Sequence, residues 1–167
     1  SSAASDVYKR QQSNIVRDIR TLYEPRWTRR GKWNQSYYEA RVPRVPTMLL
    51  ELLSHQNFAD MRYGIDPRFR FTVSRAIYKG MLQFLCSQYR MDYIVQPLPV
   101  DHMTLRMIGE NEIELSWKAV NDPLEPTAAP EKYIVYTRIG NGDFDNGTVV
   151  DKNSYRTVLP AGIVCSY

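Results

Sequence analysis

The hydrophobic period changes once along this chain, at Pro97-Leu98-Pro99. Before it, apolar residues recur at helical spacing: Ile15, Ile19 and Leu22 with Val16 and Tyr23, then Phe69, Val73, Ile77, Met81 and Leu85. After it they alternate, in Glu112-Ile113-Glu114-Leu115-Ser116-Trp117 and in Tyr133-Ile134-Val135-Tyr136-Thr137. A helix buries a stripe and a strand buries every second residue, so the two halves cannot share one kind of layer. The expected organisation is an appended tail over 1–11, an α/β part over 12–91, a stiff linker over 92–99 and an all-β part over 100–167. The chain has 167 residues, which fits one domain or two small or incomplete ones.

The first half contains a second strong signal. Asp66-Pro67 predicts a helix start, with Asp as cap and Pro in the first turn, and the helix should run to about Tyr89. Its stripe of Phe69, Val73, Ile77, Met81 and Leu85 reads as core. Pro25 should end the preceding helix. Residues 26–46 read as a loop rich in Trp, Tyr and Arg. Val45-Pro46-Thr47-Met48-Leu49-Leu50-Glu51-Leu52-Leu53 then reads as a buried strand of a mostly parallel sheet. Ser54-His55-Gln56-Asn57 would leave its carboxyl end, where ligands bind in such sheets.

Glu51 stands in the middle of that apolar run. Glutamate is rarely buried unless it is paired or working. Two readings follow from the residues alone: a carboxylate paired with Arg41 or Arg44, or a group kept for chemistry.

Net charge is +4, and Lys and Arg crowd residues 9–44. That stretch could suit an anionic polymer, although a solvated arginine-rich surface accounts for it more simply. No run of 18 apolar residues exists, so no membrane span is expected, and the polar start has no signal-peptide core. Cys86 and Cys165 form neither a zinc pattern nor a disulfide framework; Cys86 reads as core. His102 reads as a surface residue. Ser1–Gln11, SSAASDVYKRQ, lacks any period and resembles translated adapter sequence at the end of an assembly fragment.

Residues 46–54, Pro-Thr-Met-Leu-Leu-Glu-Leu-Leu-Ser, resemble the last catalytic motif of zinc-dependent N-acetylmuramoyl-L-alanine amidases, a strand of pattern P-x-x-L-x-E-x-x-F-x-S/N. Asp60, Asp66-Pro67 and Arg75-Ala76-Ile77-Tyr78-Lys79-Gly80 are similar to that family's closing helix. The likeness spans about residues 13–90 and is greatest to amidase-like proteins of Bacteroidetes, some of them labelled xanthan lyase. Residues 100–167 resemble a truncated fibronectin type III domain: Trp117 stands where strand B carries its core tryptophan, Tyr133 and Tyr136 match strand C, and Leu159 leads toward strand F. Cys165 stands about where a corner tyrosine is found.

The resemblance implies the C-terminal part of a three-layer α/β amidase domain, followed by an incomplete all-β sandwich. It implies a cell-wall hydrolase that cleaves the amide between N-acetylmuramoyl and L-alanine with a zinc-activated water. Glu51 would move the proton. The family holds zinc with two His and one Glu, and those ligands would lie upstream of Gln12. Arg41, Tyr37, Tyr38 and His55 are candidates for the substrate groove, since sugars stack on aromatics and guanidinium forks bind carboxylates. The partner would be peptidoglycan or another cell-envelope glycan, with no nucleic acid, in the periplasm or outside the cell. The fragment alone is expected to be inactive and poorly stable. A metal-free, glycan-binding adhesion protein and a polysaccharide lyase are the competing classes.

Overall fold

A computed structural model describes residues 3–33, 35–45, 47–162 and 164–167, with side chains from residue 5. Pro46 of the amidase-like motif and residues 1–2 of the expected tail lie outside the described residues. The chain contains both helices and antiparallel sheets. It divides into two units, Ser1–Tyr93 and Ile94–Tyr167.

The first unit is helical among its described residues. It contains α1 (Ala3–Leu22), α2 (Tyr38–Arg41), α3 (Phe58–Gly64) and α4 (Pro67–Tyr89). Residues 3–11, expected as an appended tail, are the first half of α1. They are helical because α4 receives them: Gln11 is buried, and its backbone lies against Gly80. A Cβ at Gly80 would fall 2.6 Å from the Gln11 Cα, so glycine sets how closely α1 and α4 approach.

Helix α4 begins where Asp66-Pro67 places it. Asp66 Oδ1 accepts from the Arg68 N–H at 2.9 Å. It ends at Arg90, which takes the left-handed conformation with φ of 53°. Its buried face runs through Phe69, Val73, Ala76, Lys79, Gly80 and Cys86. The core reading therefore holds for Phe69 and Val73, while Met81 and Leu85 are about half exposed. Residues spaced by four drift around a helix with 3.6 residues per turn. From Phe69 to Leu85 the drift reaches about 160°. The buried face keeps a mean spacing nearer 3.5 and turns away from Met81 and Leu85.

The core of this unit is Ile15, Ile19, Phe69, Val73 and Ala76. Phe69 has no exposure and stands among Tyr23, Trp27 and Tyr63, with ring centroids 5.1, 5.9 and 5.1 Å away. Burying such a ring contributes about 1.5–3 kcal/mol. Leu50, Leu52 and Leu53 pack on the same cluster.

The expected strand over 47–53 does not form. Residues 47–54 are irregular, and no described residue of this unit belongs to a strand. A strand exists by its pairing, and this segment has no neighbour to pair with. The parallel sheet anticipated here is thus absent among the described residues.

Among its described residues the second unit is all-β apart from one 3-10 turn at Pro126–Ala128. β1 (Asp101–Met107), β2 (Glu112–Lys118) and β6 (Ser154–Val158) form an antiparallel sheet in the order β1-β2-β6. β3 (Tyr133–Val135) pairs with β5 (Thr148–Val150), and β4 (Arg138–Ile139) with β7 (Cys165–Ser166). The alternation in 112–117 appears as expected: Ile113, Leu115 and Trp117 are buried, and the residues between them are not. Trp117 meets Tyr133 edge-on at 5.3 Å, with Leu115 and Val135 beside them. Tyr136 lies just past β3 and is exposed.

Candidate functional site

Glu51 sits between two anchored leucines. Leu50 and Leu52 pack on the Ile15–Phe69 core, and the intervening carboxylate is exposed. It makes no hydrogen bond or ion pair among the described residues. The buried pairing with Arg41 or Arg44 is therefore not what the structure holds, and neither is the buried strand position. The correction has a simple cause: the face of the segment that carries Glu51 has nothing packed over it.

The residues after Glu51 are fixed by capping. Asn57 Oδ1 accepts from the Ala59 and Asp60 N–H groups at 2.9 and 3.4 Å and starts α3. Asp60 Oδ2 in turn accepts from the Ser54 N–H at 2.9 Å. Asn57 is thus a one-way cap: its own N–H donates to the Ser54 carbonyl at 3.0 Å, and Asp60 reaches past it to Ser54; the Asn in front of Phe58 is the signal in the sequence for this start. His55 lies in the turn thus formed and is exposed.

Tyr37, Tyr38 and Arg41 belong to the single turn α2 or its cap, and all three are exposed. The Tyr37 carbonyl accepts from the Arg41 N–H at 3.0 Å. Among the described residues no side-chain hydrogen bond or ion pair joins any two of Glu51, His55, Tyr37, Tyr38 and Arg41. No group of three or more His, Cys, Asp or Glu residues could hold a metal among them either.

Polar chemistry is concentrated elsewhere, between α1 and α4. Lys79 and Asp18 form a buried ion pair, and Arg17 Nε meets the other Asp18 oxygen at 2.9 Å. Beside them Lys9, Arg10, Ser13, Asn14, Arg17 and Gln83 line an open cleft of about 340 Å³. Asn14, nearly buried, donates to Gln83 Oε1 and to the Arg10 carbonyl, both at 2.9 Å. The basic stretch anticipated from residue 9 onward thus forms part of one wall of a cleft. The buried pair was readable too: Asp18 adjoins Ile19 in one apolar stripe, and Lys79 follows Ala76 in the other.

The second unit carries an outward ladder of charge. Glu114 lies between Arg106 and Arg156 on neighbouring strands, 2.8 Å from each guanidinium. The hydrogen bonds from Arg156 and then Arg106 hold its carboxyl below the ordinary value of 4.5. Thr104 and Ser116 hydroxyls join on the same face at 2.7 Å. Cys86 is buried and donates to the Asp92 carbonyl at 3.4 Å, while His102 is exposed beside Asp101. No helix among the described residues is long and apolar enough to cross a membrane.

Compared with protein-family models, with curated proteins and with solved structures, the chain gives no match.

Proposed function

We propose that this chain is the C-terminal part of a cell-wall hydrolase of the N-acetylmuramoyl-L-alanine amidase type, followed by a partial unit of fibronectin type III kind. The observation that carries the reading is Glu51. It is the one glutamate in the P-x-x-L-x-E pattern, it is exposed, and it has no counter-charge among the described residues. Its neighbours Leu50 and Leu52 hold the backbone on the core while the carboxylate remains free. A proton-transfer group needs that combination of fixed position and access. Peptidoglycan in the periplasm or outside the cell is the corresponding substrate, with Arg41, Tyr37, Tyr38 and His55 as exposed candidates for contact.

Zinc does not fit the residues present. The chain has two histidines, one in each unit, and no metal-competent cluster among the described residues. We assign no residue here to hold it and no step to it.

The order β1-β2-β6 with separate β3-β5 and β4-β7 pairs supports the sandwich part of the reading, as does the buried Trp117 between Leu115 and Tyr133.

The test is digestion of purified sacculi by the protein as its gene encodes it, read as newly freed L-alanine amino groups. Glu51→Gln should lower the rate by about 10²–10⁴-fold, the usual worth of a positioned acid–base group. Undiminished release by that variant would end the assignment. A second reading, glycan binding without hydrolysis, rests on the exposed Trp33, Tyr37 and Tyr38. It predicts sacculus pull-down that Tyr38→Ala weakens, with no amide cleavage. Unsaturated sugar products would instead indicate a lyase.

A further inference from the structure

Asn-Gly occurs twice in the second unit, at Asn141-Gly142 and at Asn146-Gly147, and both asparagines are exposed. A glycine after asparagine leaves the next peptide nitrogen uncrowded, so that nitrogen can approach the asparagine side-chain carbonyl. The two steps are alike in sequence and differ in what holds the nitrogen.

Gly147 is clamped. Its N–H donates to Asp145 Oδ1 at 2.9 Å, and the same oxygen accepts from the Thr137 N–H at 3.0 Å. A Cβ at Gly147 would fall 2.4 Å from Ile134 Cγ2 and 3.0 Å from Tyr136 Cε1. The peptide between Asn146 and Gly147 cannot turn without moving those side chains. The carboxylate also opposes loss of the amide proton, because a second negative charge would form beside it.

Gly142 is held loosely. Its N–H donates to the neutral Ile139 carbonyl at 3.2 Å, closing a turn over Gly140 and Asn141. Gly140 has nothing within 4 Å of a built Cβ, and Gly142 meets only the Ile139 oxygen, at 3.4 Å. Asn141, Gly142 and Asp143 are all exposed. Opening this turn costs one neutral hydrogen bond in water.

We propose that Asn141 is a site of spontaneous deamidation and that Asp145 protects Asn146 from the same reaction. The Gly142 nitrogen gives its proton to water, and its lone pair bonds to Asn141 Cγ. The Cγ–Nδ2 bond then breaks, and the side-chain nitrogen takes up a proton and leaves as ammonia. Water opens the cyclic imide at either carbonyl, leaving an aspartyl or isoaspartyl residue at position 141. One water enters, one ammonia departs, and nothing is oxidised or reduced. The product adds a negative charge to a segment that already holds Asp143 and Asp145. The isoaspartyl form also lengthens the backbone beside Gly140, whose N–H donates to the Val164 carbonyl at 2.7 Å next to the β4–β7 pair. The inference concerns the second unit alone and is independent of the hydrolase reading.

The test is to age the purified 167-residue chain at mildly alkaline pH, folded and in unfolding urea. Peptide mass mapping with isoaspartyl methyltransferase labelling reads each site. In the folded chain Asn141 should convert about tenfold faster than Asn146, the difference expected between opening a neutral and a charge-assisted hydrogen bond. In urea the two should convert at similar rates. Asp145→Ala should raise conversion of Asn146 toward that of Asn141 and leave Asn141 unchanged, with circular dichroism showing that the β structure persists. If that variant unfolds, the comparison of folded and urea-treated wild type still decides. The proposal is overturned if Asn146 converts as fast as Asn141 in the folded chain, if Asn141 converts only in urea, or if the difference between the sites survives in urea.

Discussion

Lys79 Nζ lies 2.6 Å from Asp18 Oδ2, with both side chains almost wholly withdrawn from water. This pair ties α4 to α1, as the Asn14–Gln83 hydrogen bond also does. Removing Asp18 strands Lys79 as a buried charge, which costs about 3–5 kcal/mol, whereas removing Lys79 leaves Asp18 with the Arg17 guanidinium. Asp18→Leu should lower the urea midpoint sharply when the helical signal is followed, and Lys79→Met should lower it less. The double variant should recover most of the loss, since two apolar groups of similar size replace two charges. A double variant no better than the singles would contradict this account.

Gly80→Ala should also destabilise the helical unit, although alanine is the better helix former by about 1 kcal/mol. The new methyl would lie 2.6 Å from the Gln11 Cα, against backbone that cannot swing aside. Overpacking of this kind costs about 1–3 kcal/mol. Thermal melts of wild type and variant decide it, because propensity alone predicts the opposite sign.

Glu114 makes the second unit sensitive to acid. Its folded pKa is below the ordinary 4.5, so folding is favoured by the ionised form. That contribution is present above the ordinary value and is lost as pH falls through the lowered one. Titrating stability from pH 6 downward should show a decline that Glu114→Gln flattens. Equal slopes for both proteins would remove the carboxylate from the explanation.

Asn57→Ala should loosen α3 by about 1 kcal/mol, the usual worth of an N-cap. The loss should be local, seen as faster amide exchange at Ala59 and Asp60, whose N–H groups the Asn57 oxygen accepts. Unchanged exchange there would show that the cap is dispensable.

Local chemistry was legible in this sequence, and pairing was not. Asp66-Pro67 placed the start of α4 because a cap and a fixed φ act on their own neighbours. The alternation through Ile113, Leu115 and Trp117 placed β2 for the same reason. The segment around Glu51 misled because alternation and apolarity describe one strand, whereas a sheet needs a second one. Met81 and Leu85 misled because a spacing of four mimics a helical stripe over two turns and departs from it over five. The tail before Gln12 was set aside for want of a period and for its likeness to adapter sequence; residues 3–11 are helical, and Gln11 lies against Gly80. Glu51, expected inside a buried strand, is exposed on an irregular segment, and among the described residues no side-chain hydrogen bond or ion pair joins it to Tyr37, Tyr38, Arg41 or His55.

Arg90 ends α4 in a backbone region that costs a side-chain-bearing residue about 1–2 kcal/mol and glycine almost nothing. Its N–H still closes the last turn onto the Cys86 carbonyl. The helical unit therefore leaves attainable sturdiness unused at a solvent-facing position remote in sequence from Glu51. An engineer seeking a tougher scaffold can begin at that hinge of the backbone without disturbing the interior.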